Sequence, residues 1–563
     1  MIKAALKQNA FIYRRVKLHQ RRQRLKRDRP DWLPILQTGA TQWQQALEAA
    51  KTGKKILVAT SVGGDIHILS VESLLAVALT LRGADVHILL CDGVLPACFW
   101  SDATFFPDDR RFVKHGPQTD LCQDCFPSAL KTLQPLGLTL HRYSYFLNQT
   151  DYQQAADISQ TTPLSEIEAY TWQGVAVGEH ALAGALRFYA RASLTGEPNG
   201  EPILRRYFQA ALLTAWATQR LLQTIHFDCA VFNHGIYVPQ GLVGDVVRQS
   251  GGRVVNWNPA YRKQCFIFTH HDTYHHQLMV EPVEHWQDLP WDDAKEQQVM
   301  EYLKSRWYGT RDWIWFHEQP EFDLTAIAQE IGVDFSRPCI GLLTNVMWDA
   351  QLHYPANAFP SMLEWIVQTI RYFEQRPDLQ LLIRVHPAEI RGTLRSRQPI
   401  MAEIRRRFPV LPANVFIIPP ESQVSTYAAM LQCNAILIYG TKMGVELTSM
   451  GIPTIVAGEA WIRNKGLTLD AASAEEYLAY LEQLPLTQAL SADQIQQARK
   501  YAYHFFFRRM IPLEFMTTGQ NASEFKLDQF QLSDLMLGQR RGLDVICDGI
   551  LTGSEFIYPA EQV

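Results

Sequence analysis

Ile56-Leu-Val-Ala-Thr60, running directly into Ser61-Val-Gly-Gly64, is the stretch on which the fold turns. A continuous apolar run of this length fits a strand covered on both faces, and two glycines at its end fit a loop where another backbone or a ligand approaches closely. Downstream, Leu74, Val77, Ala78 and Leu81 recur at helical spacing, Gly83 supplies a helix stop, and Val86-His-Ile-Leu-Leu90 reads as the next strand. Strand, helix and strand in this order make a βαβ unit, and they predict the α/β class with a doubly wound parallel sheet.

The alternation pauses over about 151–223, where the pattern is helical and Trp172, Phe188, Tyr189 and Tyr207 supply bulk, so this segment is expected as a helical insertion. It resumes with Cys229-Ala-Val-Phe232, the turn Asn233-His-Gly235, a helix through Val247, Gly251-Gly252 and the strand Val254-Val255. These elements predict a first Rossmann-like domain over 51–280, preceded by a basic arm and helix over 1–50. Residues 281–337, rich in Trp, Asp, Glu and Gln, read as a linker region.

A second series begins at 338. Cys339-Ile-Gly-Leu-Leu343, Leu381-Leu-Ile-Arg-Val385, Asn414-Val-Phe-Ile-Ile418, Ala435-Ile-Leu-Ile438 and Thr454-Ile-Val456 read as strands, and Met362 to Phe373 as an amphipathic helix. They predict a second Rossmann-like domain over 338–510, followed by a return segment over 511–563. Ligands of parallel sheets bind beyond the carboxyl ends of the strands, so two such domains are expected to face a central cleft.

Bulk properties narrow the function. Of the 563 residues 47 % are hydrophobic and 20 % charged, which excludes wholesale disorder, and a net charge of -4 gives no reason to bind nucleic acid. One local exception is the arm bearing Arg14, Arg15, Lys17, Arg21, Arg22, Arg24, Lys26, Arg27 and Arg29, read either as a solvated, frayed terminus or as a contact for an anionic membrane surface. No apolar run reaches the ~18 residues of a membrane span, and the N-terminus shows no signal-peptide pattern, so a cytoplasmic protein is expected, with peripheral membrane contact through the arm. Nine cysteines then read as reduced thiols. Cys91, Cys98, Cys122 and Cys125 cluster, with His115 between; they suit zinc or plain packing, and their spacing matches no standard finger.

Two stretches carry the chemistry of the second domain. Ile438-Tyr-Gly-Thr-Lys-Met-Gly-Val-Glu-Leu447 passes from strand through a small-residue turn into a helix. Free N–H groups at a helix start suit phosphate, Thr441 adds a hydroxyl, Gly444 permits close approach, and Glu446 suits a ribose diol. Arg384-Val-His-Pro-Ala-Glu389 ends another strand, and alternation puts Arg384 and His386 on one side, suited to a diphosphate and its developing charge. Ser425, with Thr426, opens a further helix and reads as a phosphate contact or a cap. In the first domain Asp65 and His67, after Gly63-Gly64, and His234 are three unranked candidates for the base that deprotonates an acceptor hydroxyl. The run His270-His-Asp-Thr-Tyr-His-His276 reads as polar loop or cleft, lacking the i, i+4 spacing of a helical metal site.

On Arg384-Val-His386-Pro387, Ser425-Thr426-Tyr427, Gly440-Thr441 with Gly444, Glu446 and Gly451-Ile-Pro453, the chain resembles the bacterial capsular polysaccharide biosynthesis proteins, glycosyltransferases of the GT-B architecture. Tyr501 to Pro512 resembles the helix that ends this family's second domain and crosses back to the first. Cys91-Asp-Gly-Val-Leu-Pro-Ala-Cys98 and Gly63-Gly64 resemble the acceptor half more loosely. The resemblance implies transfer of a sugar from a nucleotide sugar, as co-substrate, to a surface, capsular or lipid-linked glycan, with no obligatory metal and no further cofactor. UDP, GDP and CMP all stay open as the donor's nucleotide. A nucleotide-sugar 2-epimerase of the same fold and a non-catalytic glycan-assembly or export partner are the alternatives.

Overall fold

The computed structural model describes residues 10–313, 316, 319–349, 356–486, 489–518 and 525–562. The chain divides into two compact units: Met1–Tyr189 with Ser193–Tyr274 and Met510–Val563, and Ala190–Ala192 with His275–Arg509. The segment 281–337 is therefore part of the second unit, where it forms the helices Asp293–Arg306 and Leu324–Ile331.

The first unit is built on β1 (Lys55–Ser61), β2 (Asp85–Leu90), β3 (Thr139–Arg142), β4 (Cys229–Asn233), β5 (Arg253–Pro259) and β6 (Cys265–His270). Their order is β6-β5-β4-β1-β2-β3, with Ile511–Pro512 pairing antiparallel outside β6. From β1 to β5 all pairings are parallel, and β6 runs antiparallel to β5. β1 and β4 are buried almost throughout because helices cover both faces, which is why they read as unbroken apolar runs. The expected insertion consists of the helices Gln149–Thr161, Val177–Tyr189 and Gly200–Thr224, which pack through Tyr189, Ile203, Tyr207 and Phe208 into an aromatic-rich core.

The second unit contains β7 (Cys339–Leu343), β8 (Gln380–Arg384), β9 (Val415–Ile418), β10 (Ala435–Ile438), β11 (Thr454–Val456) and β12 (Leu469–Asp470), ordered β12-β11-β10-β7-β8-β9 and parallel throughout. In both units the first strand lies centrally, the next two run to one side and the fourth returns to its other side. That is the doubly wound Rossmann order, and it opens a crevice at the switch between the first and fourth strands.

The basic arm is not a frayed terminus. Ala10–Asp28 is a helix held to the first unit by buried Leu18 and Leu25 and by ion pairs of Arg14 with Asp120 (3.2 Å) and Arg22 with Asp124 (2.6 Å). The run from His270 is likewise no continuous loop: His270 ends β6, and Tyr274–Met279 is helical. Among the described residues no helix is long and apolar enough to cross a membrane.

Candidate functional site

At the switch point of the second sheet, β10, β7 and β8 are neighbours, and their carboxyl ends carry Gly440-Thr441-Lys442, Thr344 and His386. The Thr344 hydroxyl accepts the His386 N–H (3.1 Å), which ties the β7 and β8 tips together. His386 Nδ1 accepts the Ala388 N–H (3.1 Å), so the neutral ring carries its proton on Nε2 and is a donor there. Its ring meets Phe316 edge-on at 5.4 Å. Thr441 Oγ1 accepts the Met443 N–H (3.3 Å). The Lys442 ammonium is pushed down to about 8 by burial and by nearby Arg306, against the opposing pull of Glu446 and Asp312.

The other expected donor ligands have work inside the fold. Arg384 is 2 % exposed; its guanidinium donates to the carbonyls of Pro419 (2.6 Å) and Ser422 (3.5 Å) and to Thr426 Oγ1 (3.1 Å). It ties the loop after β9 to the tip of β8. Burial lowers it to about 10. Ser425 is the cap of Thr426–Met430, accepting the Ala428 N–H (3.3 Å). Gly444 is required by packing: a Cβ there would stand 2.5 Å from Ile438 Cδ1 and 3.0 Å from Ile462 Cγ2, so the close neighbours are side chains of the fold.

Glu446 is fully buried. Its Oε2 accepts from Tyr427 Oη (2.5 Å) and pairs with Arg306 Nε (3.1 Å). Arg306 in turn pairs with Asp312 and donates to Tyr302 Oη (2.9 Å), which donates to Asp312 Oδ1 (2.8 Å). A charge network thus lies beside the Gly440–Lys442 turn, close enough to act on the Lys442 ammonium. Lys442, Arg306 and Asp312 were missed in the sequence. Lys442 stood inside the quoted motif, whereas Arg306 and Asp312 lay in the supposed linker with no local pattern to mark them.

In the first unit Asp65 caps the helix Ile66–Leu81, accepting the N–H groups of His67 (2.8 Å) and Ile68 (3.2 Å). His67 Nδ1 is 4.0 Å from Asp65, its Nε2 is 3.0 Å from Arg24 Nη2, and its ring stacks on Phe525 at 4.3 Å. His234 adopts a left-handed backbone (φ 66°) beside Tyr237 and Phe99, and burial with nearby Arg187 lowers it to about 3. Asp65 and His67 are therefore brought together, and His234 is a neutral, weakly basic ring in an aromatic setting. Glu72, which no motif marked, lies under this crevice with 1 % exposure; it accepts from Trp257 Nε1 (3.0 Å), and burial raises it to about 8.

Among the described residues, Glu281, His285 and His504 form a cluster with metal-like spacing, but ordinary hydrogen bonds account for it. Glu281 Oε1 accepts from His285 Nδ1 (2.9 Å) and His504 Nε2 (3.0 Å), Arg508 donates to His504 Nδ1 (3.2 Å), and Arg509 pairs with Glu281 Oε2 (3.2 Å).

No family model and no curated protein matches the sequence. Among solved structures the chain is similar to two KpsC transferases of Thermosulfurimonas dismutans. The beta Kdo 2,4 transferase is 12 % identical at a TM-score of 0.33, over 48 % of this chain and 79 % of that one. The beta Kdo 2,7 transferase is 11 % identical at a TM-score of 0.30, over 59 % and 89 %. It is also similar to the UDP-GlcNAc 2-epimerase of Methanocaldococcus jannaschii, 11 % identical at a TM-score of 0.27, over 80 % and 97 %. The fold assignment rests on the strand order itself.

Proposed function

We propose that the protein is a glycosyltransferase that moves a sugar from a nucleotide-sugar donor to a surface, capsular or lipid-linked glycan. The observation that supports this reading is the placement of Thr344, His386, Thr441 and Lys442 at three adjacent strand tips at the switch point of a doubly wound sheet. Thr441 and Lys442 hold the diphosphate, and the Nε2–H of His386 donates to the departing phosphate oxygen, opposing the charge that develops as the glycosidic bond breaks. Arg384 keeps the loop after β9 in place. Asp65 or His67 takes the proton of the acceptor hydroxyl, since a ring titrating near 3, as His234 does, is a poor base at neutral pH. The exposed cations Arg15 and Lys26 of the N-terminal helix offer contact to anionic lipid headgroups that present the acceptor.

A thermal-shift panel of UDP-, GDP- and CMP-linked sugars tests the reading, because a ligand of the folded state at about 100 times its Kd adds about 2.7 kcal/mol. Stabilisation by one member, with sugar transfer that requires an added glycan acceptor, is the expected result. A response to none overturns it, and acceptor-independent conversion of the sugar identifies an epimerase instead.

A further inference from the structure

Four cysteines of the first unit converge from three places in the chain. Cys91 follows β2, Cys98 lies in the succeeding loop, and Cys122 and Cys125 occupy the first turn of the helix Cys122–Leu133. All six pairings among these thiols are close enough for the charge of one to raise another. A Cβ on Gly93 would stand 3.3 Å from Cys122 Cβ, and one on Gly64 would stand 3.0 Å from Cys125 Sγ. Glycine at these two points lets the backbone pass directly against the sulfurs. No disulfide links any of them.

Burial holds all four thiols protonated while they are unligated, yet hydrogen-bond donors face the sulfurs of Cys91, Cys98 and Cys125. Backbone N–H groups of Gly93 and Leu95 point at the Cys91 sulfur, those of Trp100 and Ser101 at Cys98, and that of Gly64 at Cys125. The Ser101 hydroxyl stands 3.8 Å from Cys98 Sγ. Arg21, only 8 % exposed, reaches in from the N-terminal helix. Its Nη1 donates to the Leu121 carbonyl (3.3 Å) and its guanidinium lies over Trp100 at 5.2 Å, while Nε and Nη2 are buried with no partner. Nη2 would stand 2.1 Å from a Cβ on Gly64, the same point that lies 3.0 Å from Cys125 Sγ. As thiols the four sulfurs give this buried cation nothing to neutralise; as metal-bound thiolates they carry net negative charge, about -2 on either zinc or a [4Fe–4S] centre.

We propose that Cys91, Cys98, Cys122 and Cys125 hold a thiolate-bound metal centre with Arg21 as its buried counter-cation, and that the centre is an iron–sulfur cluster. Four sulfurs around one zinc ion, at Zn–S of about 2.3 Å, stand about 3.8 Å apart. Among the described residues only Glu281, His285 and His504 bring three ligand atoms within 4.8 Å of one another, so these sulfurs are spread more widely than a single ion requires. A cluster takes each sulfur on a different iron and so suits the wider array. Each cysteine gives up its proton on binding. The centre pins the Gly63-Gly64 loop, the start of Cys122–Leu133 and the N-terminal helix to one another. None of the four cysteines nor Arg21 has a role in the sugar-transfer reading, so metal content tests the centre separately from sugar transfer.

The full-length protein, purified without oxygen and reconstituted separately with iron plus sulfide and with zinc, is assayed for metal, acid-labile sulfide and visible absorption. About four iron and four sulfide per chain, with a broad visible band that bleaches on reduction, is the expected result. Cys122→Ser and Cys98→Ser lose at least half of the bound metal, while Cys547→Ser, a buried cysteine elsewhere in the unit, keeps it. One zinc per chain without sulfide, lost in the same variants, retains the thiolate centre and overturns the cluster. Less than about a tenth of an equivalent of either metal on the wild-type chain, with all four thiols open to alkylation, overturns the whole inference even if the variants fail to fold.

Discussion

The two sheets share one strand order, yet their tips are furnished in opposite ways. In the second unit the tips of β10, β7 and β8 carry polar side chains, with the Arg384 bonds and the Glu446–Arg306–Asp312 network beside them. In the first unit the tips of β1 and β2 carry glycines and a cysteine, and the carboxyl buried near them, Glu72, has an indole partner and, among the described residues, no cation bonded to it. The same topology therefore fixes where a site opens, while what it can hold depends on side chains brought in from elsewhere in the chain.

The comparison breaks most sharply at Arg306. Arg306→Met leaves Glu446 and Asp312 buried without their cation and is expected to cost about 3–5 kcal/mol, read by urea unfolding. A neutral change there would mean that the second unit does not depend on this network.

Glu72 in the first unit should behave in the opposite sense. Its folded value is raised to about 8 from an ordinary 4.5, so folded and unfolded forms are both protonated below pH 4.5. Between there and about pH 8 only the unfolded form ionises, and stability falls as pH rises across that window. Glu72→Gln is expected to flatten this slope and gain up to a few kcal/mol at pH 8. A pH profile of unfolding identical to wild type would sink the assignment.

At His386 the effect is on turnover. His386→Ala is expected to lower kcat by about 100-fold with only about 1 kcal/mol of stability lost, that of the Ala388 N–H bond. Donor binding should also weaken as pH rises through about 8, because Lys442 loses its charge there. The smallest effect belongs to Ser425→Ala, about 1 kcal/mol of stability from a lost cap with nucleotide affinity unchanged. A large loss of affinity would restore Ser425 as a ligand.

The sequence by itself determined the class of fold and much of its layout. β7, β10 and β11 have the bounds that their apolar runs suggest, because a strand covered on both faces must be apolar at every position. β3 escaped notice, since it lies at the sheet edge and is only partly covered, so Thr139–Arg142 keeps polar residues. The strand ends that carry His386 and Thr441 were equally legible. What Arg384, Glu446 and Gly444 do there was decided only by tertiary structure. Their partners, the Pro419 and Ser422 carbonyls, Arg306 and Ile462, become neighbours only when the sheet closes. A polar side chain at a strand tip is equally suited to a ligand or to the protein's own backbone, and the choice rests on which of the two reaches it in the folded chain.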